Sequence, residues 1–275
     1  MSRSISTLLL PVAGMGTRLR PLTARKPKAL VEVCGKPLLE YILDEAEEYG
    51  VRTAVLILNP AHERAFAAFL RRRGAHPRSK GVFCCKKMEI HFRFQRRPLG
   101  NGDALLAALP FADRAPVFLR FCDDIIIGAN VLEKLRERYE ELRAPVLALE
   151  RIGKSVVQHY GAVSLKGGCR TLARGCRIAA IVEKSRQAYW LFPERVDPLA
   201  IVGAYVLTPR VFRTLADLAP LAPPLKDGFP FTAALYALLR QGYKIYGWKL
   251  QGRRFDCGTR EGLQECEEFL CGKKS

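Results

Sequence analysis

The segment Ala13-Gly14-Met15-Gly16-Thr17-Arg18, followed by Pro21, Thr23 and Lys26-Pro27-Lys28, stands directly after an apolar run and has the makings of an anion site. Two glycines let the backbone turn tightly and bring its N–H groups close to a negative group, while Arg18 and Lys28 add mobile positive charge. Leu19 occupies the place of the third glycine in a dinucleotide-binding fingerprint, and no Gly-Lys-Ser/Thr follows, so neither that fingerprint nor a P-loop is present. Gly153-Lys154-Ser155 occurs later, but Ala148 holds the place of the leading P-loop glycine, and the tripeptide reads as a turn. Taken alone, two glycines also suit an ordinary turn. Their place at the carboxyl end of a strand, where open α/β sheets bind ligands, is what favours a phosphate.

Asp123 ends the apolar run Val117 to Cys122, where a carboxylate would emerge from a central strand towards that crevice. Asp124 suits a turn or a helix cap. Gln95 follows the alternation Ile90, Phe92, Phe94 and offers a donor and an acceptor in one planar amide, matching the N3–H and O4 of a uracil or thymine edge. An exposed polar residue is the alternative reading. His62, His76, His91 and His159 form no convincing Ser-His or Cys-His pair and read as surface or packing residues.

Short runs of Val, Ile, Leu and Phe alternate with segments of helical period, which predicts a doubly wound α/β unit around a parallel sheet. Strands are expected at 7–13, 53–58, 89–94, 116–121 and 145–150, and helices at 37–49, 61–73, 102–109 and 131–142, with Gly50 and Gly74 as stop signals. After Glu150 the rhythm changes. Strands at 161–165, 178–183, 200–207 and 244–249, with turns at Gly167-Gly168 and Gly175, predict a mixed-sheet extension, and helices return at 211–218, 231–240 and 260–270. No repeat or long linker intervenes, so one domain over 1–275 is expected, with a nucleotide half (about 1–150) and a second-substrate half (about 151–275).

The chain has 275 residues, 49% hydrophobic and 26% charged, which excludes disordered and low-complexity classes. The uncharged run Ser4 to Thr17 falls short of the ~20 residues needed to cross a bilayer. Nine cysteines, an odd number with no Cys-x-x-Cys and with Cys84-Cys85 adjacent, point to unpaired, buried thiols in a reduced cytoplasmic setting; Cys266 and Cys271 lack partners at zinc-finger spacing. The net charge is +18, and between Arg71 and Arg97 seven Arg and three Lys face the single acid Glu89, which supplies half of it. Nucleic acid, small polyphosphates and a merely solvated face all fit such a run. Phe83, Phe92 and Phe94 interleave the charges, but Phe92 and Phe94 share a face with Ile90 and belong to the core, so a nucleic-acid partner is not expected.

The whole loop Gly14-x-Gly16-Thr17-Arg18-x-x-Pro21, with Pro27-Lys28 at its distance, resembles the signature of the sugar-1-phosphate nucleotidyltransferases. Further blocks agree in order and spacing: Gln95 before Gly100-Asn101-Gly102-Asp103-Ala104, Asp123-Asp124, Tyr160-Gly161-Ala162-Val163, Val182-Glu183-Lys184, Ala200 to Leu207, and Phe255-Asp256-Cys257-Gly258. Pro11-Val12-Ala13-Gly14, Ile201-Val202-Gly203 and Asp256-Cys257-Gly258 look most like the bacterial UTP-glucose-1-phosphate uridylyltransferases.

The resemblance implies a Rossmann-like, mostly parallel sheet of the nucleotide-diphospho-sugar transferase type with a mixed-sheet sugar-binding extension. It also implies Mg2+-dependent nucleotidyl transfer from UTP to glucose 1-phosphate, giving UDP-glucose and pyrophosphate. Arg18 would grip the β and γ phosphates, Lys28 would neutralise charge at the α-phosphorus, and Asp123 and Asp256 would hold the metal. Ala13, Gly14, Gly16, Thr17, Gln95 and Gly100 would bind the nucleotide, and Gly161, Glu183, Lys184 and Gly203 the sugar phosphate. A cytoplasmic homo-oligomer acting on small molecules, away from membranes, completes the expectation. Thr17 to Thr23 also resembles the mannose-1-phosphate guanylyltransferases, which leaves a guanylyl- or thymidylyltransferase as the rival. A silent relative has no need to keep Arg18, Lys28, Asp123, Asp256 and Lys184 together.

The sequence departs from the family at four places, one of them the region from Arg64 to Glu89, which is shorter and more basic than expected and bears on assembly. The expected Val-Glu-Lys-Pro ends in Ser185, a Glu-Ile-Gln-Leu-Thr-Asp-Ala block is replaced by Gly228-Phe229-Pro230-Phe231-Thr232-Ala233-Ala234, and Ala204 stands where an Arg is usual. The missing acid in the second block bears on the choice of sugar.

Overall fold

Strand β1 (Thr7–Pro11) carries Leu8, Leu9 and Leu10, all fully buried, as a strand covered by helices on both faces must be. Leu8 and Leu10 enter one core and Leu9 the other, so a single strand already shows the two-sided wrapping. The computed structural model describes residues 5–128, 130–167, 172–184, 197–221 and 228–272. Its first half continues through β2 (Glu32–Val33), β3 (Lys36–Pro37), α1 (Leu38–Glu48), β4 (Thr53–Leu58), α2 (Glu63–Arg72), β5 (His76–Ser79), β6 (Val82–Cys85) and β7 (Met88–Phe94). Then come α3 (Asn101–Leu106), α4 (Leu109–Ala112), β8 (Val117–Arg120), β9 (Asp124–Ile127), α5 (Val131–Leu142) and β10 (Val146–Arg151). The second half holds β11 (Gly161–Leu165), β12 (Cys176–Glu183), β13 (Leu199–Leu207), α6 (Pro209–Leu218), α7 (Thr232–Arg240), β14 (Tyr246–Lys249), β15 (Arg253–Asp256) and α8 (Arg260–Cys271).

Among the described residues, eleven strands form one sheet in the order β10-β14-β12-β11-β13-β8-β1-β4-β7-β6-β5. Its centre, β8-β1-β4-β7, is parallel, with Leu8 opposite both Phe118 and Ala54, and Ala54 opposite Ile90. Beyond β8 the sheet turns mixed, as expected, with β13 antiparallel to β8 and β10 parallel to β14. Helices α1, α2, α5 and α8 cover one face, and α3, α6 and α7 the other. This places the loops after β1, β7 and β8, which carry most of the candidate residues, at one end of the parallel block.

Several expectations need correction. The strand expected at 7–13 ends at Pro11, and the helix expected at 102–109 breaks into α3 and α4 because Pro110 supplies no N–H and belongs in a first turn. The basic run is partly consumed inside the fold. Arg73, with its side chain 6% exposed, pairs with Asp44 at 2.6 Å and with Glu40 and Glu47 at 3.2 Å each. Arg78 pairs with Glu89, and Lys86 with Glu47 at 2.7 Å, beside an antiparallel β5-β6-β7 edge whose outermost strand, β5, polarity had hidden. The expectation of unpaired cysteines is overturned for three of them. Cys34, in the β2–β3 turn, is joined by a disulfide to Cys271, at the end of α8, 237 residues away, and Cys176 is disulfide-bonded as well. Pairing at that distance leaves no trace in local spacing. Cys84, Cys85, Cys122, Cys257 and Cys266 are free.

Candidate active site

Past β1, Val12 N–H donates to Ile57 O at 2.9 Å, and the chain then leaves the sheet and turns back at Gly16, where φ is +61°. A Cβ there would stand 2.9 Å from Lys28 Cβ and 2.9 Å from Thr23 Cγ2, so glycine is needed both for the conformation and for the close approach. Thr23 Oγ1 donates to Gly16 O at 2.7 Å and fastens the loop onto itself. Arg260, which opens α8, donates to the Arg20 carbonyl from the other side. Ala13 and Gly16 are half-buried, whereas Gly14, Thr17 and Arg18 are exposed, and nothing lies within 4 Å of a Cβ position on Gly14. The loop therefore has a fixed base and an open lip.

Behind it, Lys28 Nζ forms a hydrogen-bonded ion pair with Asp123 Oδ2. Asp256 joins them because β15 pairs antiparallel with β9, setting Asp256 opposite Asp124, and Cys257 N–H donates to Asp123 O at 2.8 Å. Gly258 shows how tightly the three groups converge. A Cβ on it would lie 2.8 Å from Asp123 Oδ2, 2.8 Å from Asp256 Oδ1 and 2.9 Å from Lys28 Nζ. Burial works to raise the Asp123 carboxyl, but the Lys28 ammonium outweighs it and Arg18 assists, so Asp123 stays below the usual carboxylate range. Burial likewise depresses Lys28, yet Asp123 holds it above its ordinary value; both charges persist. Beside them burial, aided by the Asp123 charge, pushes the Cys122 thiol up to about 12, which leaves it neutral and inert.

Asp124 lies beside this trio but is bound to other partners. Its Oδ2 accepts the Gly203 N–H at 2.6 Å and its Oδ1 an Arg254 N–H at 2.5 Å. Gly203 has no room for a side chain: a Cβ there would stand 2.5 Å from Asp124 Oδ2 and 2.9 Å from Phe121 Cβ. Gly203 thus makes room for the Asp124 carboxylate, which accepts its N–H. Among the described residues no group of three or more His, Cys, Asp or Glu gathers into a metal cage. Two carboxylates completed by water and substrate phosphates are a sufficient donor set for Mg2+, so Asp123 and Asp256 fit that ion.

Gln95 is held at the mouth, with Nε2 donating to Gly100 O at 2.7 Å and to Asp103 Oδ2 at 2.9 Å. Its donor side is therefore spent within the protein, and its carbonyl side is what it can offer a base. Gly100, at φ +98°, packs against the segment that replaces the family block: Phe229 N–H donates to Leu99 O at 2.7 Å, and Gly102 N–H to Phe229 O at 2.9 Å. On the other side Gly161 pairs with Glu183 across β11–β12, and a Cβ on Gly161 would meet Glu183 Oε2 at 3.0 Å. Glu183 also accepts from Thr232 Oγ1 at 2.9 Å, so this carboxylate is oriented by a residue of the substituted block. Lys184 follows with an exposed side chain and φ +37°, its N–H donating to Tyr160 O at 3.2 Å. Ser185 lies outside the described residues.

The profile of the nucleotidyl transferase family matches residues 8–272. The chain belongs to that family. A UTP–glucose-1-phosphate uridylyltransferase of Pseudomonas aeruginosa is 28% identical over 96% of this chain and 95% of its own length. One of Mycoplasma pneumoniae is 27% identical over 94% of this chain and 90% of its own length. Among solved structures, a UDP-glucose pyrophosphorylase complexed with UDP-glucose superposes with a TM-score of 0.78 at 24% identity, covering 98% of this chain and 100% of the other, and shares the fold.

In this nucleotidyl transferase the residues singled out in sequence divide into three groups. Lys28, Asp123 and Asp256 come together; Arg18 stands on the open lip beside them; Gln95, Gly100, Gly161, Glu183 and Lys184 lie around the same end of the sheet. Sequence reasoning gave no role to Tyr160, whose Oη donates to Asp256 Oδ2 at 3.0 Å, or to Gly258 and Arg254. Tyr160 and Gly258 sit inside blocks that were matched, which was the one available signal. Arg254 carried none, since an Arg-Arg pair ahead of Phe255 reads as surface charge.

Proposed function

We propose that this nucleotidyl transferase joins UTP to glucose 1-phosphate, releasing pyrophosphate and forming UDP-glucose. The observation that carries the reading is the meeting of Lys28, Asp123 and Asp256 around Gly258, under an open glycine loop. The named activities of its relatives support the choice of substrates. In the reaction an oxygen of the sugar phosphate bonds to the α-phosphorus while the bond to the β-phosphate oxygen breaks. The attacking monoester is already anionic near neutral pH, so positioning and charge neutralisation suffice without a general base.

Lys28 would meet the charge at the α-phosphorus, and its bond to Asp123 keeps the ammonium charged and aimed. Arg18, free on the lip, would fork onto the departing phosphates. Mg2+ held by Asp123 and Asp256 would add charge neutralisation on the phosphates when bound. Ala13 to Thr17 would supply backbone N–H groups, Gln95 would accept the N3–H of the base beside Gly100, and Gly161, Glu183 and Lys184 would hold the sugar phosphate. Gly203 serves this arrangement through Asp124. The reading includes one domain with two functional halves, at about 1–150 and 151–275, working as a homo-oligomer in the cytoplasm. No helix of the described residues is long and apolar enough to cross a membrane.

The experiment is a pyrophosphate-release panel of UTP, TTP, CTP and GTP against glucose, galactose and mannose 1-phosphates, with and without Mg2+. UTP with glucose 1-phosphate should be the fastest pair and should need the metal. Turnover with no pair rejects the proposal, and a faster pair replaces its substrates.

A further inference from the structure

We infer that Arg254 is a positioning residue of this site, acting on the Asp123 and Asp256 carboxylates through Asp124 and Tyr160. The inference rests on the reading of those two carboxylates as the metal-holding pair.

Arg254 lies in β15 opposite Ile126, and two residues later Asp256 stands opposite Asp124. Its side chain is 7% exposed and makes two ion pairs of 2.5 Å, one with Asp124 Oδ1 and one with Glu150 Oε2. The guanidinium carbon sits 5.4 Å from the centre of the Tyr160 ring, and Tyr160 Oη donates to Asp256 Oδ2 at 3.0 Å. Asp256 Oδ1 accepts the Gly258 N–H at 3.0 Å, so both oxygens of Asp256 are oriented by the protein. Asp124 is fixed as firmly, because Gly203 N–H holds its second oxygen at 2.6 Å and Arg120 Nη2 donates to its carbonyl at 3.1 Å.

The arrangement answers an electrostatic problem. Asp123, Asp124 and Asp256 crowd into one corner with little solvent, and an Asp124 held by the Gly203 N–H alone would repel both neighbours and leave its Oδ1 to compete for the cation they hold. Arg254 neutralises Asp124, turns its oxygens away and supports the ring whose hydroxyl orients Asp256. The paired carboxylates are left to act alone. Arg254 does this from behind the carboxylates, through neighbouring side chains.

Two variants test it. Tyr160→Phe removes only the hydroxyl on Asp256, and Arg254→Lys keeps the charge but loses the fork that bridges Asp124 and Glu150. Binding of Mn2+ alone is followed by electron paramagnetic resonance, with the Mg2+ dependence of pyrophosphate release and thermal melting alongside. Residues that orient metal ligands change metal affinity or activity by about 10- to 100-fold. Both variants should bind Mn2+ at least about tenfold more weakly and need correspondingly more Mg2+, while Tyr160→Phe melts as the parent does. Parent-like Mn2+ binding in both variants overturns the role of Arg254 and leaves the metal reading standing. A parent protein that binds no Mn2+ overturns the metal reading and this inference together.

Discussion

Lys28 and Asp123 are 95 residues apart in sequence and form a hydrogen-bonded ion pair where the loop after β1 crosses the end of β8. The pair explains how a cation can wait beside the open glycine loop without being drawn into solvent. Each charge holds the other ionised against burial, and the ammonium stays within reach of the space around Gly258.

Replacing Lys28 by Met removes that preorganised charge. Pyrophosphate release should fall on the order of a hundred- to a thousandfold, mainly in kcat, because the lost interaction matters most where charge develops. Steady-state kinetics on the preferred substrate pair measures it. A Lys28→Met enzyme with near-parental kcat would remove Lys28 from the reaction.

Two glycines close together should respond in opposite ways to a methyl group. In Gly258→Ala the new Cβ meets the ends of three flexible side chains, which can move apart, so the fold survives while the charged groups lose their alignment. Activity should drop by about a hundredfold with little change in melting. In Gly262→Ala the Cβ runs into the Asp256 carbonyl, with its carbon 2.7 Å away, and main chain cannot yield so cheaply. That variant should lose about 1–3 kcal/mol of stability in urea titration. The reverse pattern would show that the space around Gly258 is structural.

The parts legible in sequence were those whose physics is local. The run 53–58 became β4 and 131–142 became α5 because each is bounded by turn residues and carries an unbroken periodic or apolar pattern. The edge strand His76–Ser79 was not legible, since all four of its residues are exposed and polar or Pro, and its strand character comes only from pairing with β6. Arg120 shows the same limit from inside. It sits in an apolar run with 1% exposure, because Glu45, 75 residues away, meets it at 2.8 Å. In the site, Arg18, Lys28 and Asp123 could be suspected from their own surroundings, whereas Asp256 was found only through the family block around it.

The cluster on α1 predicts an acid-sensitive fold. Burial raises Asp44 and Glu47, but Lys36 and Arg73 beside Asp44, and Lys86 and Arg73 beside Glu47, hold both carboxyls below their ordinary values of 3.8 and 4.5. Groups with a lowered pKa in the fold add stability that is complete above the unfolded value and disappears as pH falls through the folded one. The urea midpoint should therefore decline from about pH 5 downwards. In Arg73→Met the decline should be shallower; an equally steep decline would place its origin elsewhere.

The disulfide between Cys34 and Cys271 ties the far end of α8 to the β2–β3 turn, only a few residues beyond Lys28. Closing so long a loop restricts the unfolded chain, so reduction, or Cys34→Ser, should cost about 2–4 kcal/mol and lower the melting temperature. The near end of α8 is held independently: Thr259 Oγ1 accepts the Gly262 N–H at 3.1 Å, and Arg260 grips the Arg20 carbonyl. Asp256 and Gly258 should thus keep their places after reduction, and turnover at moderate temperature should persist while heat resistance falls. Melting and rate measurements with and without a dithiol decide the point. Loss of both together would mean that the bond also holds the site.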